Sequence, residues 1–225
     1  MVMGNDFRRS LMAGILRGST TEQKMEVSKR GELCIVDFFT EMALEGRAYQ
    51  IRAGTVATGL AADSTLTDTA ANMCVDALAG IAIIPCCIRL AMLDVATGTT
   101  LSCYMKAVGV VSSAGTAFVP LPLLQGGLPA RSTARVATDG GVTVTAELAT
   151  TTRRLWEFVA LQTQSATVLA VGALGAIASQ TYTPILPYVG NGPACVYVQV
   201  AATTAFTLHF GALDYIELPS TMIGP

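Results

Sequence analysis

Two long apolar runs, at positions 80–93 and 101–111, lie near the middle of the chain on either side of a short Thr-Gly-Thr break. Every second residue of each run is apolar or small, which is the period-two pattern of a β-strand. These alternating sets are Cys86, Ile88, Leu90 and Met92 in the first run and Cys103, Met105, Ala107 and Gly109 in the second. Because two such runs joined by a short turn favour direct pairing, the pattern predicts a central β-hairpin.

Glycine chemistry predicts the turn of this hairpin. A two-residue loop that starts at Gly98 suits a type II′ turn and sets Lys106 opposite Ala91. A loop that starts one residue earlier would instead place the like charges of Arg89 and Lys106 opposite each other. The sequence therefore predicts the first register. Pro85 has no N–H to donate, so it is predicted at the first ladder position, at an edge or in a bulge.

Further strands are predicted on both sides of the central runs. The predicted elements are a strand at 47–53, an edge or extended segment with Pro120 and Pro122 at 116–124, a hairpin at 134–148, a strand at 153–161, a kinked buried strand at 168–178, a run at 195–200 with Val196, Val198 and Val200 on one face that returns at 206–210, and a last strand at 212–218. About eight to ten short strands separated by Gly, Pro and Thr loops are typical of a β-sandwich or barrel. The predicted fold class is therefore all-β, with one sandwich domain at 46–225.

Residues 1–45 carry many charges of both signs and are predicted to form an N-terminal, partly helical arm. Apolar residues recur every four positions at 6–17, which predicts a short amphipathic helix. A second helical or extended piece at 32–43 is predicted to pack four residues against the main body: Ile35, Phe38, Phe39 and Met42. Two interpretations stay open: an arm that reaches a neighbour or a cargo, or a helix pair folded on its own domain.

The chain as a whole is short of charge, and the shortage is uneven. Of its 225 residues 13% are charged, against about 25% in ordinary soluble domains, and the formal net charge is −2. Between Glu157 and Asp214 the sequence has no Asp, Glu, Lys or Arg. Because exposed surface is normally rich in charge, we expect another chain to cover part of this segment. The alternative is a monomer whose surface is covered by Thr, Ser, Gln and Asn.

The sequence contains little that could carry catalysis or bind a metal. Its six cysteines have no C-x-x-C spacing and His209 is the single histidine, so neither a zinc nor an iron–sulfur site is predicted. The cysteines are interpreted as small buried residues with free thiols in a reducing compartment. His209 has no acid or nucleophile marked out near it, and no enzymatic activity and no cofactor are predicted.

The N-terminus predicts neither a secretory signal nor a membrane span. Its apolar piece is too short for a signal peptide, and the apolar runs elsewhere are interrupted or fall short of about 20 residues. Four basic residues are candidates for contact with nucleic acid or a partner: Arg8, Arg9, Arg17 and Lys24. Because acids are interleaved with them, the net charge of this region is small, and it lacks the aromatic platforms of single-strand binders.

The whole pattern resembles the jelly-roll structural proteins of virions, in particular capsid and accessory shell proteins of bacteriophages. The resemblance rests on an N-terminal arm followed by a β-sandwich rich in Gly, Thr and Ala, with IAIIPCCIRLAML at 81–93 as a core strand. It implies a subunit that is made in the host cytoplasm, assembles with itself and other virion proteins, and resides in the virion without catalysis or cofactor. The alternative is an oligomeric carbohydrate- or receptor-binding β-sandwich module.

Overall fold

The structure is a computed structural model, and its strands and helix are numbered below in chain order. It describes residues 12–13, 23–24, 38–55, 59–64, 70–94, 100–137, 141–144, 152–161, 179–182, 188–203 and 208–223. The chain divides into two compact units, Met1–Glu41 and Met42–Pro225.

The described residues form mainly β-strands. They are β1 (Met12–Ala13), β2 (Gln23–Lys24), β3 (Ala48–Ala53), β4 (Leu60–Ala61), β5 (Ala70–Ala71), β6 (Met73–Ala77), β7 (Ile81–Asp94), β8 (Thr100–Val108), β9 (Ser113–Ala114), β10 (Thr116–Phe118), β11 (Leu121–Pro122), β12 (Thr133–Val136), β13 (Val142–Thr143), β14 (Arg153–Leu161), β15 (Ser179–Tyr182), β16 (Gly190–Asn191), β17 (Ala194–Ala202) and β18 (Leu208–Pro219). A helix, α1 (Phe38–Leu44), precedes β3, and a short 3-10 turn at Ser220–Met222 follows β18.

The helix predicted at 6–17 is wrong at the two positions where the structure describes it. Met12–Ala13 form strand β1, which pairs with β2 so that Met12 lies opposite Lys24. The other residues of 6–17 lie outside the described part of the chain.

The piece at 32–43 was predicted to be either helical or extended. From Phe38 onward it is helical and forms α1. Met42 is buried and packs with Ile84 on one face of the sandwich, as predicted. Phe38 and Phe39 are 46% and 40% exposed, and their rings contact each other edge-on. Their packing against the main body stays a prediction. Ile35 lies outside the described residues. The helix ends at a left-handed turn, where Gly46 has φ +72° and its N–H bonds back into the last turn, a common glycine stop.

Two large antiparallel sheets face each other across one core. In spatial order the six-stranded sheet is β10-β12-β6-β17-β8-β14, and the seven-stranded sheet is β11-β3-β18-β7-β15 with β4 beside β18 and β16 beside β7. Alternate residues of both sheets fill the core, among them Val75, Met105 and Val198 from the first and Ile51, Ile88 and Leu213 from the second. Two sheets that bury their inner faces in this way form a β-sandwich, which confirms the all-β prediction at that level.

The predicted central hairpin is wrong. β7 lies in the seven-stranded sheet and β8 in the six-stranded sheet, so the chain crosses from one sheet to the other between them. Lys106 consequently lies opposite Tyr197 and Arg154 rather than Ala91. The alternation fits both arrangements, because two strands that face each other across a core bury the same alternate residues as two strands paired in one sheet.

The hairpins predicted at 134–148 and across 195–210 fail for the same reason. β12 belongs to the six-stranded sheet, whereas β13 belongs to a separate three-stranded sheet, β5-β13-β9. β17 and β18 lie in opposite large sheets, and β18 is one continuous strand instead of two. The positions of β3, β14 and β17 nevertheless agree closely with the strands predicted there.

Pro85 lies at a β-bulge, as its missing N–H predicts. Cys87 pairs with Asp214 and Pro85 pairs with Tyr215, so Cys86 is the extra residue of the bulge. The bulge shifts the alternation, and Cys86 packs against the smaller cluster around α1 instead of the main core. The prediction that Cys86 lies on the same apolar face as Ile88 and Leu90 is therefore wrong.

A further core lies on the other face of the six-stranded sheet. The three-stranded sheet contributes Ala71 and Val142 to it, and β6 and β17 contribute Cys74, Cys195 and Tyr197. Buried residues therefore occupy both faces of β17, and all nine of its residues are buried.

Candidate functional site

The basic residues predicted to contact nucleic acid or a partner fall mostly beyond the described ranges. Arg8, Arg9 and Arg17 lie outside them. Lys24 is in β2, opposite Met12. Their part in binding stays a prediction.

The uncharged segment between Glu157 and Asp214 is partly buried by its own domain. β17 lies within it, and the nine residues of this strand are buried between the main core and the three-stranded sheet. Absence of charge in β17 follows from burial on both faces and requires no second chain. Positions 162–178, which include the predicted kinked strand, lie outside the described residues. Coverage of the segment by a neighbouring chain stays a prediction.

An exposed apolar surface lies elsewhere, at positions 119–128, and is called the 119–128 segment below. The segment contains no charged residue. Five large apolar side chains are exposed in it: Val119 (75%), Leu121 (39%), Leu123 (49%), Leu124 (39%) and Leu128 (78%). Isolated exposed apolar residues are ordinary, whereas five within ten positions make this segment a candidate contact surface.

Strand β11 runs through the 119–128 segment and is an edge of the seven-stranded sheet in the part of the chain that the structure describes. Pro120 and Pro122 flank Leu121 and have no N–H to donate, which agrees with the edge position predicted from them. A partner chain could not add a regular strand ladder here. It would have to contact the leucine and valine side chains instead.

A buried carboxylate fastens the loop that follows the 119–128 segment. Glu217 of β18 accepts hydrogen bonds from the backbone N–H groups of Arg131, at 3.0 and 3.1 Å, and Ser132, at 2.8 Å. Ser132 Oγ in turn lies 2.7 Å from the hydroxyl of Tyr215. Hydrogen bonds to an ionised acceptor are among the stronger ones in proteins, so the C-terminal end of the segment is held against the sandwich.

Three potential metal ligands meet beneath the three-stranded sheet. Cys74 and Asp76 alternate on β6 and Cys195 lies opposite Asp76 on β17, so their side chains project from the same face. The two sulfurs and a carboxylate oxygen all lie within 4.8 Å of one another, and the three residues are buried. We call this group the Cys74–Asp76–Cys195 cluster. Spacing rules miss it, because sheet order and not a local motif brings its two cysteines together.

Ser112, in the loop between β8 and β9, joins the cluster. Its backbone N–H donates to Asp76 Oδ1 at 2.8 Å and its hydroxyl donates to Asp76 Oδ2 at 2.6 Å. Cys74 Sγ donates to Ser112 Oγ at 3.1 Å. The hydrogen bond with Cys74, followed by burial, raises the pKa of the Cys195 thiol well above its ordinary value.

A row of five paired residues, three of them basic, crosses the same face of the six-stranded sheet. Through successive strand partners the row consists of Arg135, Cys74, Tyr197, Lys106 and Arg154. Lys106 is only 4% exposed, and its Nζ lies 5.2 Å from the centroid of the Tyr104 ring. Burial of a cation is costly unless negative charge or ring faces lie near it, and the Tyr104 ring supplies such a face for Lys106.

An open pocket lies between residues of the two large sheets. It has a volume of about 380 Å³, and its lining includes Arg52, Leu60, Phe118 and Val136. A mostly apolar pocket of this size with one cationic side chain suits a small ligand that carries a polar or anionic group.

His209 lies in β18, opposite Leu60 on one side and Met92 on the other. Absence of enzymatic activity stays a prediction.

No family model, no curated protein and no solved structure matches the chain. Among the described residues no helix has the length and apolarity needed to cross a membrane. Function must therefore be inferred from the strand order and from the surfaces.

Proposed function

We propose that the protein is a structural subunit of a virus or bacteriophage shell, either a capsid or an accessory shell protein, which assembles with itself and has no enzymatic activity. Two observations support the proposal: the order in which the strands pair, and the exposed apolar 119–128 segment. The strand order carries most of the weight.

The eight main strands of the two large sheets pair from the outside inwards. The first pairs with the last, the second with the seventh, the third with the sixth and the fourth with the fifth: β3 with β18, β6 with β17, β7 with β15 and β8 with β14. Alternate pairs fall in opposite sheets. A long hairpin wrapped into two sheets in this way gives the jelly-roll arrangement that viral capsid and lectin domains use. The strand order thus supports a jelly roll, with β12 added beside β6.

The 119–128 segment is the proposed assembly surface, and its proposed occupant is a second copy of the chain. Val119 and Leu128 are 75% and 78% exposed, and burial of apolar area contributes about 25 cal/mol per Å². Because Pro120 and Pro122 obstruct strand addition, contact through side chains is favoured over open-ended growth of the sheet. Contacts of this kind suit the closed, symmetric assemblies of a shell.

Electron microscopy and light scattering of the purified full chain test the proposal. We expect closed particles or discrete oligomers. The double variant Val119→Asp, Leu128→Asp is expected to be monomeric with the wild-type melting temperature, because both side chains are exposed in the subunit. The matched control is Val159→Asp on β14, where a 58% exposed valine lies outside the segment, and this variant is expected to assemble normally.

Two outcomes would count against the proposal in different ways. A wild-type chain that stays monomeric at micromolar concentration, alone and with the other proteins of its particle, contradicts the shell function. Normal assembly of the double variant contradicts the assignment of the surface and leaves the shell function standing.

Contact of the arm with nucleic acid is tested in the assembled particles. We expect a variant with Arg8, Arg9, Arg17 and Lys24 all replaced by Ala to retain less nucleic acid on purification and to bind it with a shallower dependence on salt, since fewer phosphates are neutralised. The same nucleic-acid content as the wild type would contradict this contact.

A carbohydrate- or receptor-binding module is the second candidate function, and the pocket beside Arg52 and Phe118 favours it. A glycan array with the purified chain tests this candidate. Hits that disappear in Phe118→Ala and Arg52→Ala but persist in Val159→Asp would support it, and an array without hits would contradict it for glycans.

A further inference from the structure

We propose that the Cys74–Asp76–Cys195 cluster binds a divalent cation of the zinc class, with the two sulfurs and the Asp76 carboxylate as ligands. The inference goes beyond the proposed shell function and does not depend on it. Thiolate and carboxylate groups are common zinc ligands, and soft sulfur ligands select zinc over magnesium or calcium.

The separations of the ligand atoms are close to those of a zinc site. In a tetrahedral site with bonds of about 2.0–2.3 Å, ligand atoms lie roughly 3.3–3.8 Å apart. The sulfurs and the carboxylate oxygen lie within 4.8 Å of one another, so movements of roughly 1 Å bring them into range. Ser112 Oγ, 2.6 Å from Asp76 Oδ2 and 3.1 Å from Cys74 Sγ, is placed beside the site as a neutral fourth donor.

A metal ion explains this proximity better than a disulfide does. Cys195 lies opposite Asp76, and Tyr197 lies opposite Cys74, so the two cysteines are diagonal neighbours on adjacent strands. The Cα atoms of diagonal positions lie about 7–8 Å apart, whereas those of a disulfide usually lie about 4.4–6.8 Å apart. An ion bonded to both sulfurs spans this gap without movement of the strands.

The surroundings supply the charge that such a site needs. Two thiolates and one carboxylate carry three negative charges, and the cation supplies two positive ones. Arg135 lies opposite Cys74, and Lys106 lies opposite Tyr197 in the same row, so positive charge flanks the ligands on both sides.

Entry of the ion requires only a local opening. The cover of the site is the three-stranded sheet, whose strands have two residues each. So short a sheet has few hydrogen bonds to break and belongs to the parts of a protein that open most readily. Once bound, the ion would link β6 and β17 to each other beneath this cover.

Cobalt substitution tests the site in the intact chain. Protein produced under reducing conditions with added Co²⁺ is expected to retain one cobalt per chain and to show two signatures, a near-ultraviolet thiolate-to-cobalt band and the visible bands of a tetrahedral ion. Added Zn²⁺ should displace the cobalt and abolish both. The wild-type spectrum is informative even if the ligand variants fail to fold.

Variants then identify the ligands. Cys195→Ser and Asp76→Asn are expected to retain less than about a tenth of the cobalt, since each removes one of the three anionic ligands. The control Cys34→Ser, Cys86→Ser, Cys87→Ser removes three other thiols, including the adjacent pair that could chelate a metal, and is expected to retain the full spectrum. Cys103→Ser, a buried cysteine on the opposite face of the sheet, is a second control.

Three results would overturn the inference. The first is saturating cobalt without a thiolate band in the wild type. The second is loss of the band in the control variants but not in Cys195→Ser. The third is a non-reducing digest in which Cys74 and Cys195 are joined as a disulfide and no metal is retained.

Discussion

Strand β17 and the 119–128 segment are both without charge, yet they lie in opposite surroundings. All nine residues of β17 are buried, with the main core on one side and the three-stranded sheet on the other. The 119–128 segment has five exposed large apolar side chains. Lack of charge therefore does not by itself distinguish a buried stretch from an exposed one. The topology decides which of the two it is, and a second copy of the chain is the proposed cover of the exposed one.

The two regions also differ in what their side chains contribute to: β17 to the stability of the subunit, and the 119–128 segment to the proposed association. Side chains of β17 stabilise the subunit, because they are removed from water when the two sheets form. Val119 and Leu128, the most exposed side chains of the 119–128 segment, contribute little to the subunit and are accessible from solvent. Substitutions in the two places should therefore affect different measurements, and the expected effects on folding decrease in the order given below.

The largest effect is expected for a charge in β17. Val198→Asp places an unpaired carboxylate among fully buried residues of the main core, which should lower the free energy of unfolding by more than about 4 kcal/mol. Urea unfolding, or the loss of soluble protein, measures it. Val119→Asp in the exposed segment is the matched change, and we expect it to shift stability by less than about 0.5 kcal/mol. Similar losses in both variants would show that the two regions do not differ as described.

A smaller effect is expected for the carboxylate that holds the loop after the 119–128 segment. Glu217→Ala leaves the backbone N–H groups of Arg131 and Ser132 without their acceptor and should cost about 2–3 kcal/mol. Glu217→Gln keeps one acceptor oxygen and should cost less. Urea unfolding gives both values, and hydrogen exchange at Ser132 should accelerate in the alanine variant. Unchanged exchange there would contradict this anchoring.

Alkaline pH should weaken the buried regions and spare the exposed segment. Burial raises the pKa of the Cys103 thiol well above its ordinary value, and burial, followed by the charge of Asp214, raises the pKa of Cys86 to about 12. In the unfolded chain thiols titrate near pH 8.5. The unfolded state therefore loses these protons first, so stability is complete below about pH 8.5 and declines toward about pH 12.

Urea midpoints measured across this range test the pH dependence. Cys103→Ala should flatten the curve because it removes one of the shifted groups. A midpoint that is constant up to about pH 11 would contradict the prediction. The 119–128 segment has no titratable side chain, so self-association measured below the unfolding range should not change with pH.

Salt and moderate cooling are expected to change the stability of the fold least. Their effect should be sought in the association constant. Contact through uncharged apolar side chains weakens on cooling, because the hydrophobic driving force near room temperature is entropic. The association constant should therefore fall at low temperature and change little with ionic strength, as sedimentation or light scattering can measure. Strong weakening by salt would indicate that charged groups form the contact instead.

Strand positions could be predicted from the sequence, but their pairing could not. The alternation Val196, Val198 and Val200 identifies one face of β17, and the structure places these residues in the main core. The prediction failed at the next level, where β7 and β8 were expected to pair. Periodicity records which side of a strand is buried and contains no information on whether the neighbour lies in the same sheet or across the core.

The candidate sites show the same division. The missing N–H of Pro122 predicts an edge, because this is a local property of one residue, and β11 is an edge in the described chain. The Cys74–Asp76–Cys195 cluster depends on the pairing of β6 with β17, strands that are far apart in the sequence. Motif spacing detects ligands that are close in sequence and therefore finds no site there.

The position of β18 in the seven-stranded sheet affects when the subunit can fold. β18 lies between β3 and β7, yet the ribosome makes it after both of them. The sheet consequently cannot close before β18 has been synthesised, and until then β3 and β7 lack the strand that joins them. Folding of the sandwich is thereby postponed until β18 has left the ribosomal exit tunnel.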